Sequence, residues 1–300
     1  MTWVTVIHNP TAGNASMSRS ELEAILRDAG YHVRYQTTKG TWKKVLQQPA
    51  DLIVAAGGDG TVRKVATQLA ESSASPVPFA IVPLGTANNF ARTLQIDDAL
   101  AKRVKRWRRA KPIRLDLGMV TVRRRSRPFV EGVGGGLLAA AIVHGPEEVE
   151  DRSNSARDER RLALELLARL AKENEPERWE IELDGKDLSG DYIAVEALNI
   201  GLVGPNVSLA PRADATDGEL DLVTIDADSR RALGRQLDAR LAGRTPRATD
   251  LTCHRFRRAR LRPPHGAPFR VDDGSRPWHG TERSVTIDIS VRPGAVRMVR

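Results

Sequence analysis

The chain of 300 residues contains a single cysteine, Cys253, and only 4% aromatic residues. One cysteine excludes an internal disulfide and a zinc cluster built on cysteines, as is typical of a protein in a reducing compartment. The longest apolar run, residues 133–143, is Gly-rich and shorter than the roughly 18 residues that a membrane-spanning helix needs. No basic segment precedes the apolar stretch Trp3–Ile7, so no signal peptide is predicted. We therefore expect a cytoplasmic protein.

Hydrophobic residues make up 40% of the chain and charged residues 28%, a composition that can bury a core. A length of 300 residues predicts two domains of roughly 100–200 residues each. The net charge of +9 favours nucleic acid, an anionic membrane surface or phosphorylated ligands as partners. We expect no nucleic-acid partner, because the few aromatic residues show no stacking pattern and no helix-turn-helix or RNA-binding signature is present.

Basic residues are concentrated in three short groups. An exposed basic face is attracted to an anionic leaflet by about 1 kcal/mol per residue, so the groups predict peripheral contact with a membrane surface. Solvated faces of an Arg-rich chain are the alternative. The groups consist of Lys102, Arg103, Lys105, Arg106, Arg108, Arg109 and Lys111; of Arg123, Arg124, Arg125 and Arg127; and of Arg255, Arg257, Arg258, Arg260 and Arg262.

Short apolar runs alternate with helical patterns in residues 1–112. Such alternation is typical of a parallel sheet with helices on both faces. Over residues 113–300, short alternating strands predict a second, mainly antiparallel β-rich domain, interrupted by the helices Asp158–Lys172 and Ser229–Ala242. We therefore predict an α/β fold with a doubly wound N-terminal domain, to which the extreme C-terminus can return.

The strongest local signal is the sequence Gly57-Gly58-Asp59-Gly60-Thr61, which lies between an apolar strand and a helix. Glycine allows a ligand to approach the backbone closely, and the N–H groups at the start of the helix can cradle a phosphate. Thr61 adds a hydroxyl donor, and Asp59, expected on an exposed turn, would hold Mg²⁺ or orient a polar group. The spacing matches neither a Rossmann nor a Walker A loop, and a tight strand-to-helix turn is the alternative interpretation.

Two further turns follow predicted strands of the same sheet. They are Asn9–Gly13, after the first strand, and Gly85–Asn89, after the fourth. Either turn alone is a weak signal. Because the carboxyl ends of parallel strands meet at one edge, where α/β sheets bind ligands, we expect all three loops to form one site.

Six blocks occur in the order found in the diacylglycerol kinase catalytic family: His8–Gly13, Gly57–Thr61, Pro83–Ala91, Ile113–Gly118, Phe129–Gly136 and Leu209–Asp221. Over nearly its whole length the chain resembles this family, and above all its bacterial soluble lipid kinases. Sphingosine kinases and, more distantly, NAD kinases belong to the same superfamily. The resemblance implies an NAD kinase-like ATP-binding domain over residues 1–112 and a lipid-substrate domain over residues 113–300.

The resemblance also implies site residues. For Mg²⁺ it implies Asp214, Asp217 and the backbone carbonyl of Glu219. Two carboxylates three residues apart in a turn are hard oxygen ligands, and a solvated acidic turn is the alternative. The implied ATP contacts are Asn9, Pro10, Thr11, Ala12, Gly13, Thr37, Gly57, Gly58, Asp59, Gly60, Thr61, Val62, Arg63 and Thr86.

The sequence departs from the family at two positions. Lys64 stands where the family usually has a Glu shortly after the glycine loop. The family's general base is a Glu in an Asp-Gly-Glu turn, whereas this turn continues from Asp272-Asp273 into Gly274 and Ser275. A serine does not accept a proton at neutral pH as a carboxylate does, so Asp272 or Asp273 would have to act as the base. The predicted catalytic residues are therefore Asp59, Asp272 and Asp273.

Three functions remain open from the sequence. The leading hypothesis is an ATP- and Mg²⁺-dependent lipid kinase, with diacylglycerol as the default substrate and phosphatidate as the product. The second is a kinase-fold protein that binds nucleotide or lipid without efficient catalysis, which the missing Glu favours. The third is an NAD kinase, disfavoured because that family's Asn-Glu motif is not found. The sequence leaves open whether the protein forms a homodimer.

Overall fold

The computed structural model describes residues 2–13, 15–72, 77–148, 155–244, 251–273 and 285–300. The chain forms two compact units, of which unit 1 comprises Met1–Leu115 and Gly294–Arg300 and unit 2 comprises Asp116–Pro293. The chain thus passes from unit 1 to unit 2 between residues 115 and 116, whereas the domain boundary predicted from the sequence lies between residues 112 and 113. The chain returns to unit 1 after Pro293, so the last seven residues belong to unit 1.

Unit 1 contains a parallel sheet. Its strands are β1 (Thr2–His8), β2 (Tyr31–Thr37), β3 (Leu52–Gly57), β4 (Phe79–Pro83) and the end of β18 (Ile287–Met298). Their order is β18-β4-β3-β1-β2. The direction of chain progression therefore changes between β1 and β3. In open α/β sheets, ligands bind at such a switch point, outside the carboxyl ends of the strands.

Helices cover both faces of this sheet. They are α1 (Arg19–Asp28), α2 (Trp42–Val45), α3 (Asp59–Glu71), α4 (Asn89–Thr93) and α5 (Leu100–Trp107). Alternate residues of β3, Leu52, Val54 and Ala56, share one apolar cluster with side chains of α1 and α5. Ile53 and Ala55 between them are also buried and point to the opposite face, where α3 contacts β1, β3 and β4. A strand that is buried on both faces explains the continuous apolar run in the sequence.

Unit 2 contains two antiparallel sheets. The first has the order β10 (Gly190–Tyr192), β8 (Glu177–Leu183), β16 (Arg258–Arg262) and the start of β18. Three further strands extend it: β5 (Ile113–Val122) pairs with β18, β6 (Arg125–Phe129) pairs with β5, and β9 (Lys186–Asp187) pairs with β8. The second has the order β15 (Thr252–Phe256), β14 (Leu220–Ile225), β11 (Ala194–Leu198), β7 (Gly132–Gly136) and β17 (Phe269–Val271). A small ribbon joins β12 (Leu202–Val203) to β13 (Val207–Ser208).

The two sheets pack face to face, and helices form a third layer. Trp179 and Phe129 lie in the core between the sheets, together with Leu222 from the second sheet. On the other side of the second sheet lie α6 (Leu137–Glu148), α7 (Ala156–Glu173) and α8 (Arg230–Leu241), which share a separate apolar cluster. The sequence predicted only α7 and α8. Helix α6 was missed because its apolar pattern continues directly from the glycines of β7.

Both parts of the predicted fold class are confirmed: an α/β domain with a parallel sheet, and a second domain rich in antiparallel strands. Across the described ranges, no helix combines the length and the hydropathy that a bilayer span requires.

Candidate active site

The three predicted loops of unit 1 lie together at the carboxyl edge of its sheet. The amide of Asn9, after β1, donates to the carbonyl of Ala56 at the end of β3, at 2.8 Å. The amide of Leu84, after β4, donates to the carbonyl of Gly57 at 3.0 Å. Backbone hydrogen bonds therefore join each neighbouring loop to the glycine loop, and the joined loops lie at the switch point between β1 and β3.

Glycine is required where these loops touch. A Cβ placed on Gly85 would lie 2.4 Å from the Cα of Gly58, a distance that no side chain tolerates. A Cβ on Gly13, whose φ is +56°, would lie 2.1 Å from the carbonyl oxygen of Leu84. The loop after β4 is closed by Asn88, whose side chain accepts from the amide of Gly85 and donates to its carbonyl.

Asp59 connects two of the loops through its carboxylate. It is the first residue of α3 and accepts hydrogen bonds from the amides of Asn89 and Phe90, each at 3.0 Å. These amides begin α4, whose N-terminal N–H groups have no partner within the helix. The expectation of an exposed turn was therefore wrong, because Asp59 is half-buried and organises the loop after β4. Its catalytic role stays a prediction.

The other implied ATP contacts fall into two classes of burial. Thr61 and Val62 are buried, and the side chain of Thr61 packs on the backbone of Gly57. Only the backbone of Val62 could therefore contact a ligand. The remaining positions of this set are exposed or half-buried, apart from Gly57, which ends β3: they are Asn9, Pro10, Thr11, Ala12, Gly13, Thr37, Gly58, Gly60, Arg63 and Thr86.

In unit 2, the turn that should carry the general base contains two acids in different environments. The Asp272 side chain is buried, and its Oδ1 accepts from the amides of Val130, Glu131 and Gly132 at 3.1, 2.8 and 3.2 Å. Asp272 thereby holds the connection between β6 and β7. Asp273 is exposed. Gly274 and Ser275 lie outside the described residues.

A buried ion pair adjoins this turn and was not predicted from the sequence. Arg270 donates to Glu196 at 2.7 Å, both side chains are almost fully buried, and Arg270 also donates to the carbonyl of Asp272 at 2.8 Å. Burial raises the pKa of Glu196, and the neighbouring guanidinium opposes this shift. The sequence did carry a signal for this pair, because Glu196 and Arg270 are charged residues inside the otherwise apolar strands β11 and β17.

Three carboxylate oxygens of the predicted Mg²⁺ site accept hydrogen bonds from groups of the chain. Asp214 Oδ1 accepts from the amide and the hydroxyl of Thr216, at 3.0 and 2.7 Å. Asp217 Oδ1 accepts from the amide of Glu219 at 2.9 Å, and its Oδ2 accepts from Arg255. Within the described part of the chain, no group of three or more His, Cys, Asp or Glu side chains is arranged to hold a metal. Because a cation of the chain already contacts Oδ2 of Asp217, the two carboxylates as arranged do not fit Mg²⁺, and the ligand set stays a prediction.

Many residues of the three basic groups have acidic or backbone partners. Arg103 is buried and donates to the carbonyl of Ile81, so it does not belong to an exposed face. Lys102 and Arg106 pair with Asp98. In the third group, ion pairs to acidic side chains are formed by Arg255, Arg257, Arg260 and Arg262. The second group lies at the hairpin of β5 and β6, where Arg123, Arg124, Arg125 and Arg127 are exposed.

Replacing Asp59 should lower the stability of the chain. Asp59→Ala leaves the amides of Asn89 and Phe90 without their acceptor, at an expected loss of about 1–3 kcal/mol in the free energy of unfolding. Asp59→Asn keeps one side-chain oxygen and should lose less. Thermal unfolding of both variants tests this, with the exposed Asp28→Ala as the control. Equal midpoints for Asp59→Ala and Asp28→Ala would contradict the structural role of Asp59.

Comparison with known proteins relates the chain to lipid kinases. Residues 3–120 match the model of the diacylglycerol kinase catalytic domain, and residues 144–300 match that of the YegS C-terminal NAD kinase beta sandwich-like domain. A Pectobacterium atrosepticum protein named "Probable lipid kinase YegS-like" is 30% identical, over 74% of this chain and 73% of its own length. The diacylglycerol kinase of Bacillus subtilis is 28% identical, over 73% and 72% of the two chains.

A solved structure shares the fold. The crystal structure of a diacylglycerol kinase from Bacillus anthracis covers 99% of this chain and 96% of its own, with a TM-score of 0.71 at 19% identity. The two family models match residues of both structural units, with residues 121–143 between the matched segments. The chain therefore belongs to the diacylglycerol kinase family, as a member that joins the catalytic domain to a YegS-type C-terminal domain.

Proposed function

We propose that the chain is an ATP-dependent kinase that phosphorylates a lipid hydroxyl, with diacylglycerol as substrate and phosphatidate as product. The observation that carries this proposal is the convergence of three loops at the switch point of the unit 1 sheet, with Gly58 against Gly85 at its centre. A phosphate chain fits such a place, because the glycines leave the backbone accessible and no side chain separates ligand from amide groups.

The start of α3 supplies the electrostatic part of phosphate binding. Gly58 is the N-cap of this helix of 13 residues, so the N–H groups at its start and its dipole favour an anion there. ATP enters as its magnesium complex, whose metal ion neutralises phosphate charge. Phosphoryl transfer needs mainly positioning and charge neutralisation, both of which fixed backbone groups provide at little cost in reorganisation.

For the general base we propose Asp273. The base removes the proton of the lipid hydroxyl as its oxygen attacks the γ-phosphorus and ADP leaves. Three amide hydrogen bonds hold the neighbouring Asp272, which would have to release them to turn toward a substrate. Asp273 is exposed, so its carboxylate is accessible to a substrate, and Asp272 positions the turn.

We also propose that the hairpin of β5 and β6 brings unit 2 to a membrane surface. Its tip exposes four arginines within five residues, Arg123 to Arg127. Exposed arginines lower the free energy of a protein at an anionic leaflet, where a lipid kinase finds its substrate. The third basic group is less suited to this role, because acidic side chains neutralise most of it.

A second candidate function is binding of nucleotide or lipid without efficient catalysis. It is favoured by the sequence itself, in which Lys64 and Ser275 stand where the family has carboxylates. Lys64 is exposed on α3. The two candidates differ in turnover and not in ligand affinity, so a direct assay of transfer separates them.

We expect the purified chain to transfer label from γ-labelled ATP to diacylglycerol in mixed micelles, because the phosphate-binding loops are complete. Ceramide and NAD serve as alternative acceptors in parallel reactions. Labelled phosphatidate above the rate of a Gly85→Ala control supports the proposal. ATP binding without transfer to any acceptor would support the binding protein, and transfer to NAD alone would overturn the lipid-kinase assignment.

The two acids of the C-terminal turn should respond differently to removal of their charge. Asp273→Asn should reduce kcat by roughly 10²–10⁴-fold, with little change in ATP affinity or thermal stability. Asp272→Asn should lower the thermal midpoint, because it weakens the acceptor of three buried amides. An Asp273→Asn variant with wild-type turnover would show that the base lies elsewhere.

Restoring the family residue provides an independent check on the same step. With Asp273 as the base, Ser275→Glu should change turnover little. If instead the chain lacks a base, Ser275→Glu should raise lipid phosphorylation at least about tenfold, since general-base catalysis contributes 10²–10⁴-fold. That increase, without an effect of Asp273→Asn, would favour the catalytically impaired alternative.

Binding to anionic vesicles should depend on the hairpin and on salt. The double variant Arg124→Glu and Arg125→Glu should bind phosphatidylserine vesicles more weakly than wild type, and binding of both should fall as salt rises. A charge-matched control changes two exposed arginines of α8, Arg231→Glu and Arg235→Glu. Equal losses in the two double variants would show a general effect of charge and not a docking surface.

A further inference from the structure

The acidic turn that leads into β14 is contacted by a cation of the chain itself, the guanidinium of Arg255 on β15. Strands β14 and β15 pair so that Asp221 lies opposite Arg255. From this position the Arg255 guanidinium contacts Oδ2 of Asp217 and lies 2.9 Å from Oε2 of Glu219. One side chain on the neighbouring strand therefore bridges the carboxylate of Asp217, an implied Mg²⁺ ligand, and the carboxylate of Glu219, whose backbone carbonyl is another implied ligand.

The conformation of the turn is held by protein groups throughout. The amide of Gly218 donates to the carboxylate of Asp116 at 2.7 Å, and the amide of Asp116 donates to the carbonyl of Ala215 at the same distance. The inner oxygens of Asp214 and Asp217 accept from their own turn. Backbone amides thus define the shape of the loop, and the remaining outward carboxylate charge of Asp217 and Glu219 faces Arg255.

The charge of this cluster also favours a fixed cation. A guanidinium keeps its charge in proteins, so Arg255 is a permanent cation beside Asp217 and Glu219. The adjacent Asp221 accepts from the thiol of Cys253. A guanidinium offers five donors in a planar fork, which suits two neighbouring carboxylates, and its covalent attachment removes the entropic cost of capturing a free ion.

We propose that the guanidinium of Arg255 takes the place of a divalent cation at this turn, so that the wild-type chain keeps the turn ordered without Mg²⁺. A divalent ion at this turn needs an oxygen of Asp217, whose Oδ2 Arg255 contacts and whose Oδ1 accepts from the amide of Glu219, and the positive charge of the arginine repels the ion. Removal of the arginine side chain should therefore open a site for a hard cation. This inference concerns the turn alone and does not depend on the proposed kinase activity.

Thermal unfolding without nucleotide tests the inference. Arg255→Met keeps the apolar stem and removes the charge. The unfolding midpoint of Arg255→Met should be higher in millimolar MgCl₂ than in NaCl of the same ionic strength. The expected rise is on the order of 5 °C, because the Mg²⁺ concentration would lie far above the Kd of the new site. The wild-type midpoint should not rise. Arg257→Met is the matched control, because Arg257 approaches Glu219 at 3.5 Å and makes no ion pair with Asp217 among the described contacts.

A second measurement covers the case in which Arg255→Met does not fold. Titration of nucleotide-free wild type with Mn²⁺, followed by electron paramagnetic resonance, should show no stoichiometric binding. One tightly bound Mn²⁺ per wild-type chain would overturn the inference, and so would equal Mg²⁺-dependent midpoint shifts in wild type and Arg255→Met. A folded Arg255→Met variant that gains no shift would also contradict it. None of these outcomes depends on lipid phosphorylation.

Discussion

The contact between the backbones of Gly58 and Gly85 is the constraint on which the candidate nucleotide site depends. Any side chain on Gly85 would collide with the Cα of Gly58, so the loops after β3 and β4 can meet only as bare backbone. Their contact leaves amide groups at the ligand-binding edge of the sheet. Asp59 then holds the arrangement together, because its carboxylate binds the first amides of α4. The proposed phosphate binding in unit 1 thus depends on steric exclusion of side chains.

Carboxylates in this protein repeatedly organise backbone amides. Asp59 binds two amides in unit 1, and in unit 2 Asp272 binds three and Asp116 binds that of Gly218. Asp59 and Asp272 were predicted from the sequence to be catalytic, and Asp116 lies in one of the six blocks that resemble the kinase family. A carboxylate that accepts several amide hydrogen bonds is already committed, since turning away would leave buried donors without partners. This commitment separates Asp272 from its exposed neighbour Asp273.

The structure distributes the excess of positive charge unevenly. Arg103 is buried against a backbone carbonyl, Arg270 forms a buried pair with Glu196, and Arg255 neutralises an acidic turn. These three arginines serve the interior and the loops of the fold. The arginines of the β5–β6 hairpin are exposed, and this is the segment that we propose to meet an anionic surface. Net charge alone cannot distinguish these uses.

The fold class, the three loops at the carboxyl edge of the parallel sheet and the family were all predicted from the sequence. Hydrophobic periodicity and turn glycines are local signals, and they retain their meaning whatever surrounds them. Helix α6 was not predicted because its apolar sequence follows the glycines of β7 without a polar residue between them. The hydrogen-bond partners of the acids became clear only in the folded chain. Asp59 binds Phe90 at a sequence separation of 31 residues, Asp217 binds Arg255 at 38, and Asp272 binds Glu131 at 141. Such partners are brought together by the pairing of distant strands and loops, and a short-range pattern in the sequence carries no information about that pairing.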